Sequence, residues 1–287
     1  MIIGHQKQWH YLKNIVDSGN IPHALIFSGQ EKLGKKTIAF EFLSLLLNQD
    51  CRKHPDLVII EPVESEIKIA QIRELNWKIS LKPYSAPFKV VILDQSHLMN
   101  AEAQNCFLKT LEEPRGKSVL ILITEYPERL FPTIISRCQI IKFYPVEKKE
   151  IEDYLKGQGI EEELKTMVQF SQGRPGIVMD FLANPEIMKE RQTLIKDLIE
   201  IIGSHLSFRF QYIKSLPEEV NLGEILNVWL VFFREILISK LSGQDTFPQY
   251  SFLKIKNILN RIQNIIYLLS TTNVNSKLAL EMIMLEL

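Results

Sequence analysis

The residues of this 287-residue chain best suited to chemistry lie in the stretch SGQEKLGKKT, Ser28 to Thr37. Gly29, Gly34 and Lys35 stand at the spacing G-x-x-x-x-G-K, after a predicted strand and at the opening of a predicted helix. In such a loop, backbone N–H groups and the helix N-terminus hold phosphates, and the lysine reaches the outer ones. A glycine-bearing strand-to-helix turn has the same spacing, so the loop alone divides evenly between the two readings. A second element shifts the balance. VVILDQ ends an apolar run in Asp94, where a nucleotide-hydrolysing protein with this loop places its magnesium-side carboxylate. An Asp at a strand end often only caps the next turn, but here both elements occur in the right order and on the right predicted strands.

Two positions depart from a hydrolytic site. The residue after the lysine should be Ser or Thr, whose hydroxyl would contribute an oxygen to Mg²⁺. Lys36 stands there, and an ammonium has donors only. Thr37 comes one residue later, about 100° further round a helix, and is expected to point elsewhere. After Asp94 a carboxylate base should follow; Gln95 is a neutral amide that takes no proton. The lesions are independent, and hydrolysis is expected to be negligible. Binding of ATP or ADP without turnover through Gly29, Gly34, Lys35, Thr37 and Asp94 stays open.

The bulk numbers constrain the setting. Acidic and basic residues balance at 34 each, without the cationic excess of a stand-alone nucleic-acid binder. The apolar share of 46% suits a folded protein with real cores, and the length suits about two domains. Cys51, Cys106 and Cys138 form no C-x-x-C pair, so neither a disulfide framework nor a closed zinc site is expected. No signal peptide and no apolar run near the ~20 residues of a membrane helix is present, which predicts a cytoplasmic protein without membrane contact.

Five short apolar runs must carry these residues: Ala24 to Phe27, Leu57 to Ile60, Val90 to Leu93, Val119 to Ile123 and Ile140 to Phe143. Their unbroken β-branched character predicts parallel strands buried on both faces, with helices between them. One helix is expected over KKTIAFEFLSLLL. Another is capped by Asn100, carries Ala103, Phe107, Leu108 and Leu111 on one side, and stops before Pro114. This alternation predicts an α/β domain over 1–143, then a small helical unit over 144–185 and a helical bundle over 186–287. Trp229, Phe232, Phe233, Ile236 and Leu237 are expected in that bundle's core. Lys82, Lys89 and Lys109 read as solvated lysines with a possible DNA-facing role, His54 as a turn residue before Pro55, and Cys51 as a packed thiol.

HALIFSG, ILDQSHLMNAEAQNCFLKTLEEP and TIISRCQIIKF together resemble the clamp-loader family of AAA+ proteins, its bacterial members in particular. The LKTLEEP box, Leu108 to Pro114, and the triplet Ser136-Arg137-Cys138 are specific to that family. The resemblance spans all three segments and implies a P-loop domain with a five-stranded parallel sheet, a helical lid and a C-terminal helical collar. It implies membership of a hetero-pentamer with motor (gamma/tau) and delta subunits, which opens a sliding clamp and closes it around primed DNA at the expense of ATP. The altered loop implies the stationary member, which lends Arg137 to a neighbour's ATP as an arginine finger. By the same resemblance Thr124 matches the first sensor position, and Gly176 falls where motor members carry a second, arginine sensor. Relatives with a four-cysteine zinc module differ from this chain, which passes from Cys51 through RKHPDL with one cysteine, so zinc is not expected. An active motor subunit, or an unrelated P-loop kinase or NTPase, are the competing readings.

Overall fold

The computed structural model describes residues 2–113, 117–160, 163–217, 221–243, 247–271 and 275–287. They form two compact units, 1–179 and 180–287. The first contains α1 (Gln6–Ser18), β1 (Ala24–Ser28), α2 (Lys35–Leu47), β2 (Leu57–Ile60), α3 (Ile69–Ser80), β3 (Lys89–Leu93) and α4 (Ala101–Glu112). It continues with β4 (Ser118–Thr124), α5 (Pro132–Ile135), β5 (Gln139–Lys142), α6 (Lys148–Gly157) and α7 (Leu164–Ser171). Helix α8 (Pro175–Ala183) crosses the boundary, and α9 (Pro185–Gly203), α10 (Leu206–Ser215), α11 (Leu222–Leu241), α12 (Phe252–Thr271) and α13 (Ser276–Met284) make up the second unit.

All five strands are parallel, in the order β2-β3-β4-β1-β5. Alternation of side chains along each strand divides the apolar residues between two layers. Leu25, Phe27, Val90, Ile92, Ile121 and Ile141 pack with Ile38, Phe42 and Leu43 of α2 and Leu12 of α1. Ala24, Ile26, Val91, Leu93, Leu120 and Leu122 pack with Ile72 and Leu75 of α3 and Phe107 of α4. Two covered faces explain the continuous apolar runs. The expectation of burial on both faces fails at the two edges, where Ile59 of β2 and Ile140 of β5 are exposed, because an edge strand has a neighbour on one side only.

Asn100 caps α4 as expected, its Oδ1 accepting from the Ala103 N–H at 2.9 Å. Within α4 the buried set differs from the expected one. Gln104 and Thr110 are buried with Ala103, Phe107 and Leu111, whereas Leu108 is only half-buried. Gln104 earns the interior by satisfying its whole amide: Nε2 donates to the Met99 and Arg129 carbonyls, and Oε1 accepts from the Phe131 N–H. The expected stop before Pro114 involves a residue outside those described.

Two further expectations are corrected. Lys89 is buried rather than solvated, its Nζ 3.9 Å from Asp56 Oδ1, because it opens a central strand beside that carboxylate. His54 is more than a turn residue: its buried ring accepts from the Asp56 N–H at 3.1 Å and meets Ser85 Oγ at 3.2 Å. Asp56 in turn accepts the N–H groups of Tyr84, Ser85 and Ala86, fixing the loop that leads into β3.

In the second unit Ile255, Ile258, Ile262 and Ile265 form one buried stripe of α12 and pack with Trp229, Phe233 and Ile236 of α11. Phe232 and Leu237 are partly buried beside them. Arg209 of α10 donates to the carbonyls of Ile201 and Ile202 at the end of α9 and to Met284 at the end of α13. Among the described residues no helix is long and apolar enough to cross a membrane.

Candidate functional site

The loop between β1 and α2 is shaped by its glycines. Gly29 has φ 152°, and a Cβ there would stand 2.4 Å from the Phe143 carbonyl oxygen. Its N–H donates to the Thr124 carbonyl at 3.1 Å, tying the loop to the end of β4. Gly34 has φ 87° and precedes the first turn of α2. Lys35, the first residue of α2, is buried and folds back so that Nζ donates to the carbonyls of Gly29 and Gln30. Burial lowers its pKa, and Glu125, Asp94 and Glu31 oppose that shift.

Lys36 departs from the chain's own carbonyls and takes acidic partners. Its Nζ lies 2.8 Å from Asp94 Oδ2 and is also hydrogen-bonded to Glu61 Oε1. Partial burial works against its charge, but hydrogen bonds and attraction from Asp94 and Glu61 outweigh it and raise its pKa. Asp94 follows β3 directly. Its N–H donates to the Ile60 carbonyl at 2.9 Å, and its Oδ1 accepts from the Gln95 N–H at 3.0 Å. The register pairs Ile60 with Leu93, so Glu61 and Asp94 leave neighbouring strands side by side.

A hollow of about 270 Å³ collects these groups, lined by Lys35, Lys36, Thr37, Asp94, Thr124 and Gly176 among others. Thr37 borders this hollow and also a second one. That second hollow, of about 240 Å³, is bordered by the apolar Ile2, Ile3, Ile38, Pro175 and Met179. The Thr124 hydroxyl accepts from the Tyr126 N–H at 3.1 Å and lies 3.3 Å from His97 Nδ1. Burial and the nearby Arg129 lower the His97 pKa, so the ring is neutral at neutral pH. Helix α8 closes one side: the Gly176 N–H donates to the Lys32 carbonyl at 2.7 Å, and a Cβ at 176 would meet that same oxygen at 2.8 Å.

Loop N–H groups, Lys35 and the apolar hollow are of the right kind for a phosphate and its nucleoside. A divalent cation does not fit. The oxygen it needs from the residue after Lys35 is missing, and an ammonium sits on the carboxylate that would hold it. Among the described residues no group of three or more His, Cys, Asp or Glu side chains is placed to hold a metal.

Arg137 lies outside this hollow. It follows α5, its Nη1 donating to the Thr133 carbonyl at 2.9 Å and its Nη2 pairing with Glu112 Oε1 at 2.8 Å. The preceding Ser136 hydroxyl also donates to the Thr133 carbonyl. Beside it, burial pushes the Cys138 thiol up to about 12. Glu61 and Glu112 were not singled out from sequence as site residues. Glu61 is found only through strand register, and Glu112 only through the return of the chain from α4 to α5.

A sequence profile of the family described as DNA polymerase III, delta subunit, matches residues 4–147. A Bacillus subtilis protein, DNA polymerase III subunit delta′, is 29% identical over 255 residues, covering 82% of this chain and 77% of its own length. A Pseudomonas aeruginosa protein of the same name is 36% identical over 135 residues, covering 40% of this chain and 41% of its own. A solved structure of a DNA polymerase III gamma subunit-related protein from Thermotoga maritima superposes with a TM-score of 0.58 at 20% identity, covering 97% of each chain, a likeness of fold.

Proposed function

The chain belongs to the DNA polymerase III delta-subunit family, and we propose that it serves a clamp loader as the delta-prime subunit, without turning over ATP itself. The observation that carries the non-hydrolysing part is the Lys36–Asp94 pair: the carboxylate needed for metal is already occupied by an ammonium. Gln95 beside it supplies no base. Its contribution to catalysis is instead Arg137, offered to the ATP of a neighbouring motor subunit. A forked, permanently charged guanidinium suits a γ-phosphate, and an arginine supplied in trans is worth about 10³–10⁵ in rate. Partners in this reading are motor and delta subunits, the sliding clamp and, through the assembly, primed DNA.

The test is reconstitution with motor and delta subunits. Arg137→Ala should leave the mass of the assembly unchanged and cut its DNA-stimulated ATP hydrolysis. An unchanged rate would remove the finger. The chain assayed alone should not hydrolyse ATP; turnover in isolation that is lost in Lys35→Ala would establish a motor subunit instead.

A further inference from the structure

We propose that Lys36 is a built-in replacement for the divalent cation of this loop: its ammonium supplies the positive charge between Asp94 and Glu61 and keeps magnesium out. The inference deepens the non-hydrolysing reading but is read out by metal binding rather than by turnover, so either can fail without the other.

Three placements support it. Parallel pairing of Ile60 with Leu93 brings Glu61 and Asp94 out of adjacent strands together, and two such carboxylates are hard oxygen donors for Mg²⁺ or Mn²⁺. The backbone that carries each is anchored. The Glu61 carbonyl accepts from Gln71 Nε2 at 2.8 Å, and Asp94 is held by its N–H bond to Ile60 and by the Gln95 N–H on Oδ1. Lys36, in the first turn of α2, extends a flexible stem that ends between them, at the position where a Ser or Thr would instead offer a metal-bound hydroxyl. Other charges facing the hollow are Glu31, Lys32, Lys35 and Glu125, with His97 neutral. Lys35 is turned to the loop carbonyls, and Lys36 contacts both carboxylates of this pair. A metal arriving here would meet a like charge at contact distance, and the ammonium would have to leave both partners.

The consequence is that removal of the Lys36 charge should create a metal site from groups already in place. The experiment measures Mn²⁺ binding to the full chain by electron paramagnetic resonance, with the metal alone as probe. The unaltered chain should show no bound Mn²⁺ at this site, and its melting temperature should be indifferent to Mg²⁺. Lys36→Thr should bind one Mn²⁺ at least about tenfold more tightly and be stabilised by Mg²⁺ in proportion to its concentration. Adding Glu61→Gln to Lys36→Thr should weaken that binding again. Should Lys36→Thr fail to fold without metal, recovery on adding Mn²⁺ supports the proposal, and Lys36→Gln repeats the test. Equal Mn²⁺ affinity in the unaltered chain and in Lys36→Thr, or no gain in either variant, overturns it.

Discussion

Glu112 Oε1 holds Arg137 Nη2 at 2.8 Å, so the last turn of the LKTLEEP helix grips the arginine of the Ser-Arg-Cys triplet within one chain. Two segments recognised separately in sequence thus form one ion pair. Both side chains are more than a third exposed, which limits the pair's worth to about 1 kcal/mol at most. Glu112→Gln should therefore shift urea unfolding of the isolated chain by no more than about that amount. A loss above ~2 kcal/mol would make the pair part of the structural frame and argue against an arginine kept available for a neighbour.

Gly29 and Gly173 should each be intolerant of a methyl group. A Cβ at Gly173, whose φ is 75°, would stand 2.6 Å from the Val146 carbonyl oxygen, and the 2.4 Å approach at Gly29 is closer still. Both contacts are with backbone, which cannot rotate away. Alanine at either position should cost at least ~1–3 kcal/mol in denaturant melts. Gly19, with the same kind of φ but nothing within 4 Å of its Cβ, should cost less.

Acid should unfold the first unit partly through Asp56. Burial raises its pKa, but the Ser85, Tyr84 and Ala86 N–H groups and Lys89 outweigh it, so the folded-state value lies below the ordinary one. A depressed carboxylate contributes stability above its unfolded pKa of about 3.9, and that stability is lost as pH falls through the lower folded value. Asp56→Ala should cost ~3–5 kcal/mol at pH 7, since Lys89 is left buried without its carboxylate, and should flatten the stability profile below about pH 4. A variant with an unaltered acid limb would sink this account.

Cys138 should resist alkylation. With a thiol pKa of about 12, roughly one molecule in 10⁴ carries thiolate at pH 8, about a thousandfold below an ordinary cysteine. Mass-spectrometric labelling with iodoacetamide should show it only on unfolding; rapid modification of the native chain would contradict its burial.

Arg209→Ala should weaken the second unit. One guanidinium serves carbonyls at the ends of both α9 and α13, and its loss leaves those acceptors short of donors. A cost of about 1–3 kcal/mol in thermal or denaturant unfolding is expected. Arg209→Lys, with no planar fork, should recover only part of it.

The sheet was readable because both of its faces are covered, which turns each strand into an unbroken apolar word such as VVIL or VLILI. Gly34, Lys35 and Asp94, singled out by motif, and Thr124, singled out by resemblance, line one hollow because each lies at or just beyond the carboxyl end of a parallel strand. Glu61 was not, since its meaning comes from a neighbour 33 positions away that only strand register brings alongside. Lys89 was misread for a related reason: a lysine beside an apolar run looks solvated until the buried Asp56 opposite it is seen. Gln104 shows the same limit, because a polar residue on an apolar helix face gives no sign of the three backbone partners that permit its burial.

The seam between Gly176 and the Lys32 carbonyl makes some sequence changes harder to undo than others. At position 36 a single replacement by Ser or Thr would place an oxygen in space that a long lysine already fills. At position 176 any side chain at all strikes main chain, so a sensing arginine would have to await a rearranged loop. The hollow thus tolerates a shorter side chain at position 36 and refuses any side chain at position 176.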